Sequence, residues 1–396
     1  MTPPSVVYVV PDKMGGMLNI VRSLVAHRGA GAMPHHVVLT DNRLSTDTRD
    51  GGRFDADSQV TVEYALPVEN VRAVLRRLAR AIPPGGGVLV ANDLIELAML
   101  HVHDPGRMVV QILHGDHDYY YDLAERHQSV IDVFAAYSRK MYDTLRARLP
   151  HRATDVLHLP YGVPLPARAR AAHDGPLRLL YAGRLEDGQK GVFDLPAIDR
   201  ALAAAGVAVT WTIVGGGPDE EALRARWTPG AAPVTWRGVL SNDATLAALP
   251  DFDVFVLPTR AEGFPVALVE AMAAGLVPVV SDIPSGVPEV VAAGQTGLVP
   301  PVGDTAAFAA AIASLARDRT RLDAMSAAAR RSVAERFDPY ARTAAYEAVY
   351  ADWAARRRPR DPSPLPYGSR LDWPFVPNAL VRTVRTAIRR RQGKPV

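Results

Sequence analysis

Short, nearly continuous apolar runs recur along the chain. They lie at 5–10, 36–40, 60–64, 87–91, 108–113, 133–138 and 156–159, and again at 178–181, 209–214, 234–238, 254–257 and 277–280. Runs without polar alternation read as strands buried on both faces, the signature of a parallel sheet. Stretches of helical spacing lie between them. Leu18, Val21, Leu24 and Val25 share one face, and residues 71–81 form an amphipathic helix with Arg72, Arg76, Arg77 and Arg80 as its wet side. Further helices are expected at 140–149, as a pair rich in Ala and Arg over 306–334, and at 339–357. Alternating strands and helices predict an α/β protein with parallel sheets. Residues 160–176, rich in Pro and Ala, read as a linker. The expected layout is an N-terminal domain over 1–165, a C-terminal domain over 176–338, a separate helix over 339–357, and a Pro-rich connector with a basic tail over 358–396.

The densest pattern is 258–281. The strand 254–257 runs into a loop holding Glu262, Gly263, Phe264 and Pro265. A helix follows over 265–274, with Pro265 suited to its first turn and Gly275 to its end, and then the strand 277–280. Glu262 precedes Glu270 by about two helical turns. Two carboxylates so placed can accept hydrogen bonds from a polyhydroxy ligand, and the helix start between them offers free N–H groups. A plainer reading weighs equally: Glu262 caps the helix and Glu270 is a solvated face residue.

Other strand ends carry candidate chemistry. Gly15 and Gly16 follow the first strand and open a helix, a geometry that brings backbone N–H groups to an anion or simply makes a tight turn. His114, Gly115, Asp116, His117, Asp118, Tyr119, Tyr120 and Tyr121 follow the strand 108–113. Ligands bind at that edge of open parallel sheets, and these side chains can meet sugar hydroxyls or stack on sugar rings. The alternatives are a metal site on the two histidines and two aspartates, for which no other ligand stands at a recognisable spacing, and a polar loop starting the next helix at Asp118. Gly183, Arg184 and Lys190 follow the strand 178–181, where two cations suit a diphosphate or are simply surface charges of a loop. Lys190 is one of only four lysines in the chain. Gly215 and Gly217 follow the strand 209–214, and Val239 follows the strand 234–238. Asp251 and Asp253 are spaced like a metal-binding pair but read as a strand entry.

The segment 258–281 resembles the Glu-x7-Glu signature of the retaining glycosyltransferases of family 4, of the GT-B fold. Pro258, Glu262-Gly263-Phe264 and Glu270-Ala271-Met272-Ala273-Ala274-Gly275 carry the likeness, with Gly183-Arg184-Leu185, Lys190-Gly191 and Gly215-Gly216-Gly217-Pro218. The likeness is strong over 176–304 and weaker before. It implies two Rossmann-like doubly wound domains facing a cleft, with the C-terminal helix crossing back to the first. It implies sugar transfer from a nucleotide diphosphate donor to an acceptor hydroxyl with retained configuration. By the same likeness, Arg184 and Lys190 hold the diphosphate with Gly15 and Gly16, and Glu270 holds the ribose. Glu262 with Gly263, Phe264 and Pro265 holds the sugar, while Gly183, Gly215, Gly217 and Val239 line the donor. His114 sits by the reacting carbon. Asp116, Asp118, Tyr119 and Tyr120 depart from the common family forms and are assigned to the acceptor side. Tyr161-Gly162-Val163 has Tyr where the family has Asn. No metal or other cofactor is implied.

Composition narrows this. With no cysteine, disulfides, thiolate metal sites and a cysteine nucleophile are excluded. A net charge of +3 does not suggest nucleic acid as partner. No signal peptide and no membrane-spanning run is legible, so a cytoplasmic protein is expected. The tail modifies this. Trp373 and Phe375 precede Asn378, a good N-cap, and Leu380, Val381, Val384, Ala387 and Ile388 face away from Arg382, Arg385 and Arg389. After Asp372 the tail has six basic residues and no acidic one. Residues 373–391 suit an anionic membrane surface, which would place the protein peripherally on its inner face, or else pack on the body. The expected partners are a nucleotide-sugar donor and a glycan or lipid-linked acceptor. Two other functions stay open: a nucleotide-sugar epimerase or hydrolase of the same fold, and a non-catalytic nucleotide-sugar-binding partner of a membrane assembly system.

Overall fold

The computed structural model describes residues 2–227, 232–284, 286–360 and 368–392. The chain forms two compact units. The first comprises Met1–Tyr137, Tyr142–Leu159 and Arg342–Val396, and the second Ser138–Met141 and Pro160–Ala341.

The first unit is built on a seven-stranded parallel sheet. Its strands are β1 (Ser5–Pro11), β2 (His35–Asn42), β3 (Ser58–Tyr64), β4 (Gly87–Ala91), β5 (Met108–Leu113), β6 (Val133–Ala136) and β7 (Val156–His158). Their order is β3-β2-β1-β4-β5-β6-β7, so the winding direction reverses between β1 and β4. Central β1, β4 and β5 are buried almost throughout, as helices on both faces require, whereas edge strand β3 is largely exposed. The helix Val71–Ala81 buries Val74, Leu75 and Leu78, and its start is capped by the Asn70 side chain. The short helix Leu94–Leu100 begins in a capping box of Asp93 and Glu96.

The second unit has a five-stranded parallel sheet in the order β10-β9-β8-β11-β12. These strands are β8 (Leu177–Ala182), β9 (Val209–Val214), β10 (Val234–Gly238), β11 (Val254–Leu257) and β12 (Val277–Val280). Its winding reverses between β8 and β11. The Pro- and Ala-rich stretch read as a linker is pinned into this unit. Arg170 and His173 join Arg178 on the buried Asp253 carboxylate, and the Arg170 N–H donates to the Ala274 carbonyl. Burial disfavours the charged form of Asp253, but hydrogen bonds from Arg178 and His173 outweigh it and hold the carboxyl well below its usual range. Asp253 is thus the strand-entry residue its position suggested, with its oxygens taken by cations.

The helix Pro339–Ala351 carries the chain into the return segment, and residues 342–396 belong to the first unit. Arg357, Arg358 and Arg360 pair there with Asp104, Asp155 and Asp132. Residues 361–366 of the expected connector lie outside the described residues. The tail helix runs Asn378–Arg391 and departs from expectation in two ways. Its N-cap is Pro377, and Asn378 instead accepts the Asn70 N–H at 2.7 Å. Only Val381 of the expected apolar face is buried.

Candidate active site

In open parallel sheets, ligand sites form at the carboxyl ends of strands where the winding reverses. In the second unit those ends are the loops after β8 and β11. The two loops are zipped together by hydrogen bonds. Thr259 Oγ1 and the Arg260 N–H both donate to the Gln189 carbonyl, at 2.9 and 2.7 Å, and the Gln189 amide donates to the Ala261 carbonyl. Arg260 also donates to the Asp187 carbonyl and pairs with Asp187 and Asp194. Gly191 has φ +62°, and a Cβ there would overlap the Pro258 carbonyl oxygen. Gly191 is therefore a packing requirement of this turn.

This zipping brings Lys190 and Glu262 together. Lys190 Nζ lies 2.7 Å from Glu262 Oε1, with side chains 19% and 8% exposed. Glu262 does not cap the following helix, Val266–Ala273, which has no side-chain cap and no acidic residue in its first turn. Glu270, on that helix, is 92% removed from solvent, being 8% exposed. Its carboxyl has no hydrogen-bond or ion-pair partner among the described residues, and burial pushes it up to about 8. Neither glutamate behaves as a cap or a solvated face residue. Arg184 is exposed at the end of β8, with no partner for its guanidinium among the described residues.

The glycines near Arg184 serve the backbone. A Cβ on Gly215, at φ +132°, would overlap the Gly183 carbonyl oxygen, and one on Gly217 would overlap that of Leu185. The Leu185 N–H in turn donates to the Gly216 carbonyl at 3.0 Å. Gly183, Gly215 and Gly217 thus let two loops lie against each other. Val239 is exposed, beside Gly216. Phe264 is buried, its ring packed on Tyr161 and Phe337, so this loop can offer Gly263 and Pro265 but not the Phe264 ring.

In the first unit the corresponding ends are those of β1, β4 and β5. Gly15, at φ +148°, is the N-cap of the helix Gly16–Ala26, whose first turn holds no acidic residue. His114, after β5, is held at both ring nitrogens. Nε2 lies 2.8 Å from Asn92 Oδ1, and Nδ1 lies 3.0 Å from the Tyr137 hydroxyl. The Asn92 amide nitrogen donates to the Val9 carbonyl at 2.7 Å, so its oxygen must face the histidine. Nε2 therefore carries the proton and Nδ1 accepts from Tyr137. Burial pushes the imidazole down to about 3, so His114 is neutral at any ordinary pH.

Around it lies an aromatic surface. Tyr120 sits 4.9 Å from His117 and 6.2 Å from His114, centroid to centroid, with the half-exposed Tyr119 beside it at 5.1 Å. Tyr119 donates its hydroxyl to Asp93, and Tyr121 to Asp116. Asp118 pairs with Arg148 at the surface, the role of a helix-start residue. Asn92, Asp93 and Tyr137 were missed in the sequence. The first two follow β4 at the winding reversal, and that position was the available signal. Among the described residues no three His, Asp or Glu side chains come together as metal ligands.

Two doubly wound α/β units with these loops at their reversal points make a GT-B fold. Solved structures agree. A sucrose-phosphate synthase from Thermosynechococcus elongatus superposes with TM-score 0.70 at 17% identity, over 88% of this chain and 98% of that one. Anabaena HepE, solved with UDP-glucose, does so with TM-score 0.66 at 18% identity, over 87% of this chain and 99% of that one. Residues 176–318 match the family model for group 1 glycosyl transferases. Its sequence is 38% identical over 175 residues to a Salmonella typhimurium protein named as the colanic acid biosynthesis glycosyltransferase WcaL, covering 42% of this chain and 43% of that one. It is 36% identical over 201 residues to a Mycobacterium tuberculosis glycogen synthase, covering 50% and 48%. The chain thus spans less than half the length of these curated relatives.

Proposed function

We propose that the protein is a retaining glycosyltransferase that moves a sugar from a nucleotide diphosphate sugar to an acceptor hydroxyl in the assembly of a polysaccharide or other glycan. The observation that carries this reading is Glu270: a buried carboxyl with no hydrogen-bond or ion-pair partner among the described residues, one turn beyond an uncapped helix start. Such a group is suited to a ligand that completes it, and a ribose diol can both donate to it and accept from it. The relatives act in colanic acid and glycogen synthesis by name, and HepE holds UDP-glucose in the same fold, which supports the donor class.

Lys190 has three N–H donors and gives one to Glu262, leaving two for diphosphate oxygens. The second Glu262 oxygen is left for a sugar hydroxyl. Arg184 adds a free guanidinium for the same diphosphate. As the bond from the anomeric carbon to the phosphate oxygen breaks, these cations offset the charge gathering on the leaving group. The acceptor oxygen bonds to that carbon on the same face, and its proton passes to the departing phosphate oxygen. No residue forms a covalent bond, and no metal enters the scheme. His114, neutral and occupied at both nitrogens, moves no proton.

The test is a thermal-shift series with UDP-, GDP-, ADP- and TDP-sugars, with and without EDTA, because a ligand of the folded state raises its apparent stability. One donor should raise the midpoint, and EDTA should leave that shift intact. Product analysis with the same donor and an acceptor mixture then reads the anomeric configuration. No shift with any nucleotide sugar would overturn the donor site. Donor consumption without acceptor would replace transfer by hydrolysis or epimerisation.

A further inference from the structure

The tail helix is amphipathic, yet its apolar face does not meet the body. Docking is polar. Asp372 accepts the Val71 N–H at 2.8 Å, at the start of the helix Val71–Ala81. The Asn70 amide donates to the Leu371 carbonyl at 2.9 Å, and Arg385 donates to Asp372 and to the Glu69 carbonyl. Within the helix only Val381 is buried. At 3.6 residues per turn, Arg385 lies about 40° to one side of Val381, while Leu380 and Ala387 lie about 100–120° to the other. The helix is therefore seated on the seam between its faces. Leu380 remains 53% exposed, and Ile388, two turns past Val381, 47%. Trp373 and Phe375 stand just before the helix, ring centroids 5.4 Å apart, with Phe375 75% exposed.

Uncovered aromatic and aliphatic side chains are costly to leave in water, and here they lie in a strongly basic setting. Residues 373–392 hold five arginines and no acidic residue. The helix Val71–Ala81, on whose start the tail is seated, adds Arg72, Arg76, Arg77 and Arg80, of which Arg76 and Arg80 are exposed. Apolar side chains flanked by the exposed Arg382, Arg390 and Arg391 fit one partner chemistry: a bilayer with anionic headgroups, the rings at the acyl boundary and the guanidinium groups among phosphates. We propose that residues 373–391 attach the first unit to an anionic membrane surface, through Trp373, Phe375, Leu380 and Ile388 with Arg382 and Arg390. The hydrogen bonds of Asp372, Asn378 and Arg385 hold this attachment rigidly on the unit.

The experiment is co-sedimentation of the full chain with phosphatidylcholine vesicles and with vesicles mixing phosphatidylglycerol and phosphatidylcholine. Binding should appear with the mixed vesicles alone and weaken as salt rises. The double substitution Phe375→Ser/Leu380→Ser, on exposed positions, should lower partitioning at least about tenfold. Arg382→Glu/Arg390→Glu should remove the preference for anionic lipid, each lost arginine counting about fivefold. Both variants should keep the donor-induced thermal shift of the parent, so this attachment can fail without touching the transferase reading. Equal binding to both vesicle types, no binding to either, or binding unmoved by the substitutions would overturn the proposal. So would self-association in solution lost in the Phe375→Ser/Leu380→Ser variant without vesicle binding, which would make a second copy of the chain the occupant.

Discussion

Glu270 makes its own reading measurable through pH. Its carboxyl titrates near 8 in the folded protein because it is buried, against an ordinary value of 4.5. Between those values the folded state keeps a proton that the unfolded chain releases, so this group's contribution is full below pH 4.5 and is lost as pH rises through 8. Glu270→Gln removes the titration. The variant should gain on the parent as pH rises from 5 to 9, by about 2–4 °C in Tm for each kcal/mol released, while losing most of the donor-induced shift. Parallel Tm curves would mean that the carboxylate is already solvated. His114 offers a second test at this scale. Its burial lowers the imidazole from 6.5 to about 3, so its ring proton signals should stay flat from pH 8 to 5 in an NMR titration. Asn92→Asp, which places a carboxylate on the Nε2–H, should bring that titration back into the window. A midpoint near 6.5 in the parent would show a solvated ring.

At the scale of elements, the second unit's site depends on two loops that touch along their backbones. Gly191→Ala forces a Cβ into the Pro258 carbonyl at a positive φ, so the loops must part. The expected result is a loss of stability of roughly 2 kcal/mol or more and of nearly all transfer, with β8 and β11 still folded by circular dichroism; unchanged turnover would separate the loops from the chemistry. Lys190→Met leaves the Glu262 carboxylate buried and alone. It should therefore destabilise more than the double variant Lys190→Met/Glu262→Gln, by about 1–2 kcal/mol in denaturant melts, a modest figure because Lys190 is not fully buried. Equal stability of the two would show that the pair is screened. These contacts also mark what was legible beforehand. The central strands could be read because burial on both faces demands unbroken apolar runs, and Glu262, Glu270, Arg184 and Lys190 could be singled out as candidates because they stand in a dense local pattern. The Lys190–Glu262 pair could not, since its partners are 72 residues apart and meet only when the loops zip. Asn92 hid because an amide after a strand looks like a turn residue. Asn378 looked like a cap because its competitor for the role, the Asn70 N–H, lies 308 residues away.

On the scale of the whole molecule, the chain finishes the first unit with residues taken from its far end, after the second unit is complete. Arg360 is the keystone of that return. Its side chain is 3% exposed, pairs with Asp132, lies 3.0 Å from Asp104, and donates twice to the Arg107 carbonyl at 3.1 Å. Asp132 is equally buried, and it also accepts the Val109 N–H at 2.7 Å and the Arg358 N–H at 2.9 Å. It therefore joins the start of β5 to the return segment. A buried ion pair adds little net stability by its formation, but breaking one side strands the other charge at a cost of about 3–5 kcal/mol. Arg360→Ala should therefore weaken the first unit by roughly that amount. The loss should be local, because each unit has its own sheet and core. Hydrogen exchange should quicken in β4 to β7 and stay unchanged in β8 to β12, and the donor-induced protection around Glu270 should persist. Asp132→Asn in the same background should restore part of the loss, because the amide accepts from Val109 without an unpaired charge. Exchange that quickens equally in both sheets would instead make the return segment a support for the entire chain.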